Sequence, residues 1–409
     1  MLKYICLLLI SLSAVCYCQD SVTDGTELLL TFLTHRHGDR TPIESTISLS
    51  NDVEALEAAT ARYGYGQLTD NGRRRAYQLG QFLRRRYDGL LSPAYNKSEI
   101  YIRSTDSTRA KMTVLSAMAA VYPALEDNWS ADVNWTPIPY TTVPAKYDFN
   151  LAAVNCPAIS EVMFTDTTYP AELEQYTDVL NEWTEISGYN VSAQLLYAVE
   201  LYDVYVSQKS LGIPLDPRIE AIFPQIEVIA GLGWEYMYNN ETNIFEAGVL
   251  LNQFFTVADQ VIAGEDVQRV QVYSAHDANV FSFEGVTRVV KRQGAPKYAS
   301  MYALELRQVI ETGEYIVVPV YLNTPSEDVI TYLEITGCGS RCEYESFRSI
   351  TADYNLDEDT WRTKCGFSED YGDRYLFCRL RLRNDGKTLR PRDDDSQIKF
   401  FQALFSLFL

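Results

Sequence analysis

Glu27-Leu28-Leu29-Leu30-Thr31-Phe32-Leu33-Thr34 runs without a break into His35-Arg36-His37-Gly38-Asp39-Arg40. A near-continuous apolar run of this length is what a strand buried on both faces requires. It therefore predicts a central strand that carries imidazole, guanidinium and carboxylate groups to its carboxyl end. Two further stretches have the same layout. Ile100-Tyr101-Ile102-Arg103 reads as a short strand, followed by a helix over 104–121 with Val114, Leu115, Met118 and Val121 on one side. Val270-Gln271-Val272-Tyr273-Ser274 reads as a strand leading into Ala275-His276-Asp277.

Between the first two strands Thr69 offers a cap to a helix in which Ala76, Leu79, Phe82 and Leu83 recur at helical spacing as far as Tyr87. Arg73 to Arg75 and Arg84 to Arg86 are then expected on its solvated faces. Strand and helix alternation predicts an α/β sheet. From 150 to 239 the strand signals fade, and helices are expected around 170–185, 191–211 and 217–229. That segment reads as a helical cap inserted between core segments 19–149 and 240–378. A helix near 243–263 and strands at 300–307, 314–322 and 328–335 complete the core, and 379–409 reads as a disordered tail.

With 46% hydrophobic and 22% charged residues, the 409-residue chain has the composition of an ordinary globular protein. Residues 1–18 have the layout of a secretory signal peptide: Lys3, then the apolar Tyr4 to Val15, then Cys16-Tyr17-Cys18. The apolar part is shorter than the ~20 residues a membrane span needs. A formal charge of −20 argues against nucleic acid and anionic membranes as partners. Sequons at Asn96, Asn128, Asn134, Asn190 and Asn240 fit an exported glycoprotein. In an oxidising compartment Cys338-Gly339-Ser340-Arg341-Cys342 reads as a local disulfide, since no histidine or second close cysteine pair is nearby to complete a zinc site. Cys156, Cys365 and Cys378 also lie beyond the leader, so of five cysteines one stays unpaired.

The chain holds three histidines, His35, His37 and His276, each just past a predicted strand. Ligands of open α/β sheets bind at the carboxyl ends of strands, so Arg36, Arg40, Arg103, His37, His276 and Asp277 are expected to converge. Guanidiniums pair bidentately with phosphate oxygens. Phosphoryl transfer needs mainly positioning and charge stabilisation, which fixed arginines supply without a metal. A metal site built from His35, His37, Asp39, His276 and Asp277 is the rival reading, and the neighbouring arginines oppose it. A catalytically dead phosphoester-binding protein would be expected to lack the nucleophile or the acid, and both are present.

Arg36-His37-Gly38-Asp39-Arg40-Thr41-Pro42 resembles the Arg-His-Gly-x-Arg-x-Pro signature of histidine acid phosphatases, a branch of the histidine phosphatase superfamily. Gly66 to Gly72, Leu79-Gly80 with Leu83 to Tyr87, Arg103 to Arg109, Tyr273 to Asp277 and Tyr298-Ala299-Ser300 resemble that family in order. The resemblance implies a mixed central sheet with helices on both faces and a smaller helical cap. It also implies that His37 attacks phosphorus, that Arg36, Arg40, Arg103 and His276 bind the phosphate, and that Asp277 protonates the leaving group. No metal or other cofactor is implied. Asp106 and Arg109 are expected to brace the turn of Arg103.

The family's cysteine pattern pairs Cys156 with Cys365 and Cys338 with Cys342, leaving Cys378. A secreted or lysosomal protein, a small phosphomonoester substrate and a homodimer fit the same resemblance. Ala278 stands where relatives usually have Thr, and His35 where they commonly have a bulky apolar residue. Phytase-like relatives favour a third acidic residue near the second histidine and a basic rim. This chain has His276-Asp277-Ala278 and is acidic throughout, so singly phosphorylated substrates are expected.

Overall fold

The structure is a computed structural model that describes residues 22–125, 129–153, 156–159 and 170–368. The leader 1–18, Asn128, Cys378 and the tail 379–409 lie outside the described residues. β1 (Thr26–Arg36) is the central strand of an eight-stranded mixed sheet. It pairs in parallel with β4 (Val270–Ala275), which pairs in parallel with β2 (Ile100–Thr105). On its other side the sheet turns antiparallel through β5 (Met301–Val309) and β6 (Tyr315–Leu322). β3 (Thr141–Val143) and β7 (Ile330–Tyr332) form the two edges, and β8 (Cys342–Glu343) pairs with β6.

Both sheet faces are covered, which explains why β1 is apolar at successive positions. Leu30 and Phe32 point into one core, with Leu250, Phe254 and Phe283. Leu33 points into the other, with Leu79, Leu83, Val114 and Met118. The first face is covered by α7 (Asn240–Ile262) and α8 (Asp277–Val286), the second by α2 (Asp70–Arg86) and α3 (Thr108–Val121). Thr69 caps α2 by accepting from the Gly72 amide at 3.1 Å. Gly80 lets α2 approach α3 closely, because a Cβ there would lie 2.0 Å from the carbonyl oxygen of Ala117.

A third apolar core gathers α4 (Thr177–Ser187), α5 (Leu195–Ser210) and α6 (Pro217–Met237) around Trp183, together with Ile47, Leu49 and Leu56. Helix α6 starts on the Asp216 cap with Pro217 in its first turn. It continues past the expected end at 229, because Ile229, Ala230 and Trp234 keep its inner face apolar. α1 (Val53–Ala61), α9 (Tyr344–Ile350) and α10 (Glu358–Cys365) are short helices, whose few turns carry little sequence signal. Cys156 is joined to Cys365 and Cys338 to Cys342. Asn96, Asn134, Asn190 and Asn240 are all exposed. Among the described residues no helix is long and apolar enough to cross a membrane.

The basic face expected on α2 is only partly solvated. Arg75 pairs with buried Asp39 at 2.6 Å, and Arg86 reaches fully buried Glu305 at 2.7 Å. These two guanidiniums lie on the side of α2 that meets the sheet, where burying a carboxylate requires a partner.

Three carboxyls lie in apolar surroundings and favour acidic solution. Burial lifts Glu246 to about 8, burial with nearby Asp203 lifts Glu200 to about 7, and burial lifts Glu284 as well. Groups raised above an unfolded value near 4.5 contribute stability that is fully present below that value and is lost as pH rises through the folded value. The folded protein is therefore expected to melt at least ~5 °C lower at pH ~8 than at pH ~5. Glu246→Gln is expected to flatten this difference. A melting temperature that rises from pH ~5 to pH ~8 would contradict the assignment.

Candidate active site

Strand register brings the two histidine motifs together. His35 lies opposite Ser274 and Arg36 opposite Ala275, while Arg103 and Ser104 lie opposite Tyr273 and Ser274. The carboxyl ends of β1, β2 and β4 are thus level. The His37 amide donates to the Ala275 carbonyl at 3.0 Å, and the His37 carbonyl accepts from the Ala299 amide at 3.0 Å. The loop after β1 lies against α2 with no space for side chains: a Cβ on Gly38 would sit 2.4 Å from the Gly72 carbonyl oxygen, and one on Gly72 would sit 2.1 Å from that of Asp39. Both positions therefore require glycine.

The His37 and His276 rings are 5.5 Å apart between centroids, nearly perpendicular, and both are buried. His37 Nδ1 lies 2.8 Å from the Gly38 carbonyl oxygen. A carbonyl only accepts, so Nδ1 carries the proton and Nε2 keeps the lone pair. Burial pushes His37 well below its usual range, and Arg109, Arg36, His276 and Arg40 push it further. The ring is accordingly neutral and able to act as a nucleophile in acid. His276 is lowered by burial and by Arg109, Arg36 and Arg40. Arg109 Nη2 approaches His276 Nδ1 at 3.4 Å, so His276 donates from Nε2 to Thr105 Oγ1 at 3.0 Å.

Arg36 and Arg40 are buried side by side. Arg36 Nη1 donates to the Pro296 carbonyl at 2.7 Å, its Nη2 lies 2.8 Å from Asp277 Oδ2, and its guanidinium stacks 4.4 Å from the Tyr298 ring. Arg40 Nη2 contacts both carboxylate oxygens of Asp203, at 2.9 and 2.7 Å. Nε of Arg36 and Nε of Arg40 are buried without a hydrogen-bond partner. Unmet buried donors of this kind are a strong invitation to an anion. Asp277 opens helix α8, with Oδ1 accepting from the Ala278 amide at 3.0 Å. The side chain of Ala278 packs into an apolar cluster with Phe281 and Trp361.

Arg103 and Arg109 are placed differently relative to the two imidazoles. Arg103 pairs with buried Asp148, whereas Arg109 Nη2 lies 3.4 Å from His276 Nδ1 and its charge lowers both His37 and His276. The sequence reading made Arg109 a brace for the Arg103 turn. The cause is where the helix begins. β2 stays extended through Thr105 because it is paired with β4 as far as Ser104 and with β3 as far as Thr105, so α3 starts at Thr108 rather than 104 and Arg109 falls in its first turn. Asp106 pairs with Lys111. Asp203, Thr105 and Tyr298 are further site residues that the sequence reading did not assign.

His35 is buried in β1, with Nδ1 3.1 Å from the Arg36 carbonyl, and burial lowers it to about 4. The rival metal set is not assembled, because Asp39 is turned away to Arg75 and to Ser210, whose hydroxyl donates to it at 2.7 Å.

A buried, neutral imidazole among three guanidiniums at the carboxyl edge of a mixed sheet makes an anion-binding site in an α/β protein. Residues 31–293 match the histidine phosphatase superfamily (branch 2). The chain is 28% identical to bovine prostatic acid phosphatase, over 86% of this chain and 91% of that protein. It is 30% identical to mouse testicular acid phosphatase, over 80% and 79%. The fold is similar to that of Hafnia alvei phytase in complex with tartrate, with a TM-score of 0.60 at 12% identity over 81% of this chain and 98% of the other. The chain belongs to branch 2 of the histidine phosphatase superfamily and is a hydrolase of its acid phosphatase group.

Proposed function

We propose that the chain hydrolyses phosphate monoesters through a phosphohistidine on His37, with Asp277 as general acid. His37 Nε2 forms a bond to phosphorus as the ester P–O bond breaks, and the departing oxygen takes a proton from Asp277. The resulting carboxylate then accepts a proton from water as that water attacks phosphorus, which breaks the P–N bond and releases phosphate. Arg36, Arg40, Arg109 and His276 hold the equatorial oxygens and stabilise the charge that builds on them. No step calls on a metal. The observation that carries the reading is a buried His37 with its proton on Nδ1, beside Arg36, Arg40 and Arg109, with Asp277 held on one of them.

The acidic chain and the carboxylate of Asp203 beside the arginines favour small monoesters with one phosphate over polyanions. The disulfides and the likeness to acid phosphatases support a protein of the secretory pathway. Within that pathway we favour secretion or lysosomal delivery, with glycans on the exposed sequons. The test is hydrolysis of p-nitrophenyl phosphate at pH ~5 with chelator present, beside inositol hexakisphosphate at equal concentration. Chelator-resistant activity with p-nitrophenyl phosphate as the faster substrate is expected. Activity that appears only on adding a divalent metal would overturn the mechanism, and faster release from inositol hexakisphosphate would overturn the substrate class.

A further inference from the structure

Helix α5 belongs to the helical segment between β3 and α7, far in sequence from the motif at residues 36–40, yet it lies directly along that motif. Asp203, Ser207 and Ser210 recur at i, i+4 and i+7 and so share one face of the helix. Asp203 meets Arg40 at 2.7 Å and Arg36 at 3.3 Å. Ser207 Oγ donates to the Arg40 carbonyl at 2.8 Å, and Ser210 Oγ donates to Asp39 at 2.7 Å. Asn71, at the start of α2, donates to the Ser210 carbonyl at 2.6 Å. All three side chains of this stripe are spent on the catalytic loop.

We propose that Asp203 is a positioning residue, which holds Arg36 and Arg40 together as a single phosphate receptor and competes with the general acid for Arg36. This rests on the phosphohistidine reading above. Two buried guanidiniums side by side repel each other, and Arg109 adds a third charge. A carboxylate bridging the first two offsets that repulsion and fixes their planes. It engages Nη2 of both arginines, and the Nε donors of both remain open on the guanidinium edge. Burial opposes an ionised Asp203, yet Arg40 and Arg36 outweigh it and hold its carboxyl below the usual range. Arg36 is moreover shared, with its Nη2 between Asp203 at 3.3 Å and Asp277 at 2.8 Å. Without Asp203 this guanidinium has one carboxylate left to pair with, the one that must deliver a proton to the leaving group. The helical segment thus completes the chemistry of the core as well as covering it.

The test compares wild type, Asp203→Asn, Asp203→Glu and His37→Ala with p-nitrophenyl phosphate and with an alkyl phosphate such as glycerol 2-phosphate. Asp203→Asn is expected to lower kcat for p-nitrophenyl phosphate by ~10²-fold with KM changed less than ~3-fold. The loss should be at least ~5-fold larger for the alkyl ester, whose leaving group needs the proton. Asp203→Glu is expected to recover part of the rate and to reduce that leaving-group gap. Should Asp203→Asn fail to fold, the leaving-group gap of Asp203→Glu relative to wild type decides alone. A lower KM and a lower inhibition constant for phosphate with kcat intact would mean that Asp203 merely competes with substrate, and would overturn the proposal. So would a loss that is equal for both esters and follows the folded fraction. If His37→Ala keeps its activity, the phosphohistidine reading itself fails; if only Asp203 proves indifferent, this inference alone does.

Discussion

Replacing His37 with alanine is expected to lower hydrolysis of p-nitrophenyl phosphate by at least ~10⁴-fold. In the proposed mechanism the imidazole supplies the attacking atom, and neither His276 nor any carboxylate is placed to substitute for it. His276 carries its proton on Nε2, as a donor, and its Nδ1 lone pair faces Arg109, so it offers a hydrogen bond to a phosphate oxygen and no attacking atom. His37 makes a single hydrogen bond from Nδ1 to the neighbouring Gly38 carbonyl and keeps Nε2 for chemistry. Rapid quenching of wild type with labelled substrate should trap phosphate on the protein in a bond that survives alkali and breaks in acid, as a phosphoramidate does. His37→Ala should trap none. Label that persists in the variant, or that maps to His276, would remove His37 from the mechanism.

The second large effect separates two arginines of one short motif. Arg109→Ala is expected to lower kcat/KM by ~10²- to 10³-fold, the range seen when a fixed donor to developing charge is removed. Arg103→Ala should cost less than ~10-fold in kcat/KM but ~3 kcal/mol or more in stability, because it leaves the buried carboxylate of Asp148 without its cation. Burial already pushes Asp148 above its usual range, against the pull of Arg103. Thermal melting beside steady-state kinetics measures both quantities on the same samples. The reverse pattern, with Arg103 carrying the rate and Arg109 the stability, would restore the arginine set read from the sequence.

Much of the site was legible because its residues sit where local signals are strong. His37 and Asp277 each follow a strong apolar run, and a buried strand is recognised from its own residues. Thr69 caps the helix whose Gly72 packs on the catalytic loop, and both features are local. Tyr298-Ala299-Ser300 was noticed only as a matching run. Its role appears when the Ala299 amide is seen donating to the His37 carbonyl, and Tyr298 stacking on Arg36. Arg75 and Arg86 misled for the opposite reason: a cluster of arginines reads as solvated unless the carboxylates that bury two of them are known.

By itself the sequence determined the central strand, the motif at its end, the second histidine motif and the family to which both belong, because each rests on periodicity or on adjacent residues. Only the tertiary structure decided which guanidiniums face the imidazoles. Pairing with β4 and β3 keeps β2 extended through Thr105, and those non-local ladders outweigh the helical pattern starting at 104, turning Arg109 inward and leaving Arg103 to Asp148. Asp203 likewise reaches Arg40 across a separation of 163 residues. Apolar spacing reports which face of an element is buried, but the partner of a buried charge is fixed only when distant elements meet, since desolvation makes the nearest opposite charge decisive.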